Sequence, residues 1–241
     1  ARLGAYLHRR AEGNPFFAGE LLRALEDAGE LRREASGLWA LSDLATTGVP
    51  PLLRQVIEAR VGRLGEEARR LLAVAAVIGQ EVPFPLWLAI ADADEEALLA
   101  ATGAATEAGL VAETASGVRF AHALTREAIY EGTPGLRRRA WHRRAADVLL
   151  TAPAPDPDAV AHHLHRADDP RATGWLVRAG ERARDAYAWL TAAERFEAAL
   201  ASMELHDSGA GERGWLRLCV GWLRRFDVSR QSATEADEAI S

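Results

Sequence analysis

The sequence predicts a mostly α-helical chain in three parts. Apolar residues recur every three or four positions through most of the 241 residues, the period of a helix that buries one face. Only two short runs alternate apolar and polar residues, each around an Ala-Ser-Gly turn, and these read as small hairpins. After a proline-rich stretch at 151–158, helical periodicity resumes with small residues and an aromatic at fixed spacing. The parts are a lid-like helical segment with a small hairpin (1–64), a module of helices and a hairpin with the helices that follow it (65–150), and helical repeats (151–241).

The elements follow in order. Residues 1–12 form a helix with Leu3, Tyr6 and Leu7 on one side, which Gly13 breaks. Asn14 suits a helix N-cap and Pro15 the first helical position. Phe16, Phe17, Leu21, Leu22 and Leu25 then follow at helical spacing, and Gly29 ends the helix. Residues 30–42 read as a hairpin turning at 35–37. Val49, Pro50 and Pro51 open a helix to about residue 64, and another covers 68–78 with Gly79 as its stop. Pro83 and Pro85 introduce a short helix at 86–91. Asp94, Glu95 and Glu96 give the next helix, to 108, an acidic first turn, which the helix dipole favours; Gly109 stops it. Strands at 110–114 and 118–122 close the module. Three helices followed by a two-stranded wing is the winged-helix pattern. Direct DNA binding through this winged helix is a possible reading, but the helix at the recognition position carries Asp94, Glu95, Glu96 and Glu107 and no arginine. That is the wrong sign for reading a groove.

Residues 118–130 join the second wing strand to a helix. Alternation puts Val118, Phe120 and His122 on one strand face and Arg119 on the other, and the helix buries Leu124, Ala128 and Ile129. His122 therefore stands at a strand–helix junction, beside a helix N-terminus that attracts anions. From the residues alone it is either a half-buried structural histidine or a ligand to an anion. Arg137, Arg138, Arg139, Arg143 and Arg144 form the most basic run. It reads as the solvated side of a helix that buries Leu136, Ala140, Ala146, Val148 and Leu149, with a phosphate patch as the rival. His162, His163 and His165 cluster on one helix, and His162 and His165 are three residues apart, but no cysteine or carboxylate set completes a metal site, and none is expected.

The helices of 171–205, joined near 188–190, match the 34-residue tetratricopeptide spacing. Gly180 takes the small position of the first helix; Ala192, Phe196 and Ala199 take the pattern of the second. Residues 212–241 read as a further pair, with Trp215, Leu218, Trp222 and Leu223 in its first helix and 233–240 in its second. The chain starts in what reads as a helix and reaches Ser241 with a helix still running, so it reads as part of a longer protein.

Composition excludes several classes. The chain has no lysine, so its 29 basic residues are all arginine. A P-loop and a Schiff-base site both need a lysine. A net charge of −6 opposes broad nucleic-acid binding. Cys219 is the only cysteine, which fits a reducing, cytoplasmic setting. No transmembrane span or leader is expected, and no nucleophile–base set can be placed. The chain is expected not to be an enzyme and to hold no cofactor by itself.

Taken in order, Gly13-Asn14-Pro15-Phe16-Phe17 with Glu20-Leu21-Leu22, the winged helix, RFAHALTREAIY at 119–130, AHHLHRADD at 161–169 and WLVRAGERA at 175–183 resemble the middle region of large STAND-type ATPase transcriptional regulators of the LuxR family. The resemblance covers nearly the whole chain. It implies an upstream P-loop ATPase domain as partner, with ATP or ADP as that domain's cofactor. It implies a glycine-x-proline lid motif on the nucleotide, here Gly13 and Pro15. It also implies a Met-His-Asp motif whose histidine meets the ADP β-phosphate; here the positions are Ala121, His122 and Ala123, so only the histidine matches. An effector protein or small ligand is expected at the helical repeats, and DNA only through a domain outside this chain. A protein-interaction scaffold of a cyclase- or kinase-linked signalling protein remains the alternative.

Overall fold

In the computed structural model the described residues are 2–33, 39–41, 49–205 and 210–226. They are mostly helical and fall into two compact units, 1–138 and 139–241.

The first unit opens with α1 (Arg2–Ala11) and α2 (Pro15–Asp27). The Asn14 side chain accepts from the Phe16 and Phe17 amides at 3.0 and 3.3 Å, so the N-cap read from the sequence is formed. Gly29, at φ 69°, ends α2 in the left-handed region that favours glycine. Strands β1 (Leu31–Arg33) and β2 (Trp39–Leu41) pair antiparallel as the expected hairpin, whose turn lies outside the described residues. Helix α3 (Pro51–Gly62) follows and buries Leu53, Ile57 and Val61.

The winged module is α4 (Glu66–Ile78), β3 (Glu81–Pro83), α5 (Phe84–Ala91), α6 (Glu95–Glu107), β4 (Val111–Thr114) and β5 (Gly117–Phe120). Its core includes Leu71, Leu72, Trp87, Ile90, Leu98 and Phe120, all essentially inaccessible. The Trp87 indole donates to the Leu71 carbonyl at 3.0 Å, which satisfies its buried N–H. The sheet order is β3-β5-β4, all antiparallel. The sequence reading placed only two strands here. The third, β3, is three residues long and ends on Pro83, too short to show a period of two; it is held on β5 by Val82 opposite Val118. On α6 the exposed positions include Glu95, Glu96 and Leu99, and the Asp94 side chain caps its first turn.

Gly117 lies where β5 meets the β3–α5 junction. A Cβ there would stand 2.1 Å from the Val82 carbonyl oxygen and 2.6 Å from the Phe84 amide nitrogen. Both obstacles are backbone, so a Gly117→Ala protein must part the strands. We expect a loss of roughly 1–3 kcal/mol, read by urea denaturation, with amide exchange rising first at β3.

Helix α7 (Ala123–Gly132) buries Leu124, Thr125, Ala128 and Ile129, the face expected for it. It is tied to α1 by Arg10–Glu127 at 3.0 Å and to α3 by the Arg54–Glu131 pair.

Helix α8 (Gly135–Leu149) starts at the end of the first unit. Its buried face corrects part of the expected one, since Ala146 is interior and Val148 and Leu149 are half-buried as expected. Trp141, His142, Ala145 and Ala146 are interior, whereas Leu136 is 77% exposed and Ala140 is exposed as well. A tryptophan gains more by burial than a leucine, and it draws the neighbouring histidine in with it. Much of the basic run is neutralised within the chain: Arg139 meets Asp168 at 3.2 Å and Arg143 meets Asp169 at 3.5 Å.

The second unit continues with α9 (Pro157–Arg166), α10 (Ala172–Asp185), α11 (Trp189–Leu205) and α12 (Ala210–Leu223), closed by a 3-10 turn. The Asp156 side chain caps α9. Each of these helices packs on the next. Ala179 and Gly180 of α10 face Ala192, Phe196 and Ala199 of α11 in one core. In α12 the expected apolar anchors are only partly right. Leu223 is buried, but Trp215, Leu218 and Trp222 are 46%, 76% and 46% exposed, and Leu216 takes the interior instead. The helix expected at 233–240 lies outside the described residues. No helix among the described residues is long and apolar enough to cross a membrane.

Candidate functional site

His122 ends the extended segment after β5 and occupies the cap position of α7, at φ −142° and ψ 142°. It is half-buried, and its ring packs edge-on against Phe17 with centroids 5.0 Å apart. The Nδ1 atom is inaccessible and makes no hydrogen bond among the described residues. A Glu12 carboxylate oxygen lies 3.4 Å from it, within charge-pairing reach but without hydrogen-bond alignment. Buried polar atoms without partners are uncommon in folded proteins.

The Glu12 position follows from its backbone. Glu12 adopts φ 48°, in the left-handed region, a conformation that costs a residue with a Cβ about 1 kcal/mol or more. The turn at 12–13, with Gly13 at φ 80°, brings the carboxylate back onto the start of α7. There it accepts from the Ala123 amide at 3.4 Å. An internal carboxylate thus occupies the helix N-terminus at which the sequence suggested an anion.

A cavity of about 220 Å³ opens beside the imidazole. Its walls include Asn14, Phe16, Phe17, Arg60, His122 and Thr125. Among the described residues Arg60 has no ion-pair partner, so a cation and an imidazole share one small chamber. Of the residues singled out in the sequence, His122 lines the cavity. Gly13 and Pro15 flank Asn14 and are exposed, and neither is part of the wall. Sequence reasoning missed Glu12 and Arg60. Glu12 carried no signal, because its role rests on an unusual φ. Arg60 is one of 29 arginines and nothing in its neighbours distinguishes it.

A second cavity, of about 200 Å³, lies in the second unit, where His165, Asp168, Asp169 and Ser202 contribute to its lining. Asp169 is held well below the usual carboxylate range, first by the Arg171 side-chain hydrogen bond.

In the same unit, three histidines converge. His142 and His163 are buried and face each other Nδ1 to Nδ1 at 2.9 Å, while exposed His162 lies beside both. His165, the residue three positions after His162, is not in the group. Burial pushes the His163 pKa down to about 4, and the neighbouring His162 charge pushes the same way.

Comparison with protein-family models, with curated proteins and with solved structures returned no match.

Proposed function

We propose that this chain is the regulatory region of an ATP-dependent, signal-transducing transcriptional regulator, acting with a P-loop ATPase domain that precedes it. It would couple the nucleotide held by that domain, and an effector bound at the helical repeats, to a DNA-binding output domain outside the chain. The mechanism is a population shift between closed and open arrangements.

The observation that supports this reading most is the chamber at His122. The His122 imidazole and the guanidinium of Arg60, which has no ion-pair partner among the described residues, line a space of about 220 Å³. Whole small-molecule sites run roughly 300–1,000 Å³, so this one fits part of a ligand, such as a phosphate, whose remainder another domain holds. The Glu12 carboxylate is the group an incoming phosphate would displace from the α7 N-terminus.

Two substitutions then act in opposite directions. In the protein carrying both the ATPase domain and this chain, His122→Ala is expected to speed release of fluorescent ADP about threefold to tenfold, the worth of one hydrogen bond. Glu12→Gln is expected to slow it, because the competing charge is gone. Unchanged release in both variants leaves only an interaction scaffold. Micromolar ADP binding by the 241-residue chain alone would contradict the assignment of the nucleotide to a separate domain.

A further inference from the structure

We propose that His142, His162 and His163 form a binding site for a divalent transition-metal ion of the zinc type, held by three imidazoles with a fourth position open to solvent. The inference stands apart from the nucleotide reading, since it uses residues of the second unit only.

The geometry carries it. The three ligand nitrogens lie within 4.8 Å of one another. A tetrahedral ion with Zn–N bonds of about 2.0–2.1 Å sets its nitrogens roughly 3.3 Å apart. The His142 and His163 nitrogens are already 2.9 Å apart, so one edge of that tetrahedron is nearly in place. Closing the rest needs His162 to move by about 1.5 Å, within reach of a rotamer adjustment for an exposed side chain. The rings are mutually tilted rather than stacked, with centroids 5.8, 5.1 and 5.2 Å apart and planes 72°, 45° and 79° from one another. Tilted rings bring nitrogen edges together; stacked rings would not.

The positions along the chain make the convergence unusual. His162 and His163 are consecutive on α9, so their side chains leave the helix about 100° apart. Their rings nevertheless meet edge-on at 5.2 Å, and a nitrogen of each comes within 4.8 Å of one on His142 of α8. Two of the three rings are interior, where an imidazole needs a partner for each polar nitrogen. In the facing Nδ1 pair, one ring must carry the proton and the other the lone pair. A metal replaces that single shared proton by a bond to each lone pair, as the protonated ring changes tautomer and its N–H moves to Nε2.

The donor set selects the ion. Three neutral nitrogens without carboxylate oxygens disfavour magnesium and calcium, and the absence of thiolate disfavours copper(I) and iron–sulfur clusters. Imidazole alone suits zinc, cobalt(II), nickel(II) and copper(II). The helices that supply the ligands flank the proline-rich segment 150–156, so the ion would also fasten α8 to α9.

The test uses the whole chain after treatment with chelator. Cobalt(II) should bind with one equivalent and give the intense visible bands of a tetrahedral site, and zinc should displace it. His162→Ala, an exposed position, should weaken cobalt binding at least about tenfold, as loss of even an outer partner of a metal ligand does. His165→Ala should leave binding unchanged. In the unaltered chain, zinc should shift the ring signals of His142, His162 and His163 and leave His8 and His122 in place, a readout that needs no variant. Absence of a tetrahedral spectrum at millimolar cobalt would overturn the proposal. So would binding that survives His162→Ala, or that falls equally with His165→Ala. Those outcomes would mean that the facing pair is a metal-free hydrogen bond between two helices.

Discussion

Phe196→Ala is expected to cost the second unit about 3–5 kcal/mol, the range for deleting a fully buried aromatic. Phe196 is completely inaccessible and forms the centre of the α10–α11 contact. Its position depends on Gly180. A Cβ on Gly180 would stand 2.5 Å from one Phe196 ring carbon and 2.6 Å from another, so the ring occupies the volume that any other residue at 180 would need. Gly180→Ala should therefore cost about 1–3 kcal/mol by overpacking, although alanine is the better helix former by up to about 1 kcal/mol. In a Phe196→Leu background the clash disappears, and the same Gly180→Ala change should be neutral or stabilising. Adjacent residues of this kind couple by about 0.5–3 kcal/mol. Amide exchange in α10 and α11 reads this unit without the other. Additive costs in the double-mutant cycle would show that the ring and the glycine do not abut.

That pair also shows what the sequence made legible. Gly180, Ala192, Phe196 and Ala199 were recognisable because small residues and one aromatic at helical spacing leave few ways to pack two helices. The N-cap at Asn14 and the buried face of α7 were legible for the same reason: each rests on local spacing. The face of α8 was not. Its leucines and alanines fit a stripe containing Leu136 and Ala140, but Trp141 outweighed them, and the sequence does not weigh one large ring against several small side chains. Strand β3 was hidden because its pairing with β5 is non-local and only three residues long.

The functional regions divide the same way. His122 was found from its place between a strand and a helix. The rest of its surroundings came from Glu12, through a left-handed backbone, and from Arg60 on a helix distant in sequence. In the second unit, spacing offered His162 with His165. The fold instead assembled His163 with a histidine 21 residues earlier. Helical spacing finds partners on one element; it does not find those that another element delivers.

Acid is expected to destabilise the second unit in a defined window, and His163 sets it. Its pKa falls from 6.5 to about 4, chiefly because burial penalises the charged ring and secondarily because His162 stands close. The folded form therefore binds fewer protons than the unfolded form. The contribution is fully present above the unfolded pKa of 6.5, is lost as pH falls from there, and is exhausted near 4. A drop of this size corresponds to about 3 kcal/mol. The lost interaction is concrete. A proton added at the accepting Nδ1 puts hydrogens on both facing nitrogens, so the His142–His163 bond at 2.9 Å is lost, while one added at the donor ring's Nε2 keeps the bond but leaves a buried charge. Asp156 and Asp169 also have lowered pKa values, but carboxylates of that kind contribute stability that is lost below about pH 4, so the two windows separate. The measurement is urea denaturation with chelator present, from pH 7 to 4, followed by exchange in α9. The unaltered chain should lose stability steadily across that range. His163→Gln should start less stable, having lost the facing bond, but its profile should be much flatter between 6.5 and 4, since glutamine does not titrate. Equal slopes in the two proteins would mean that the buried ring does not govern the acid response.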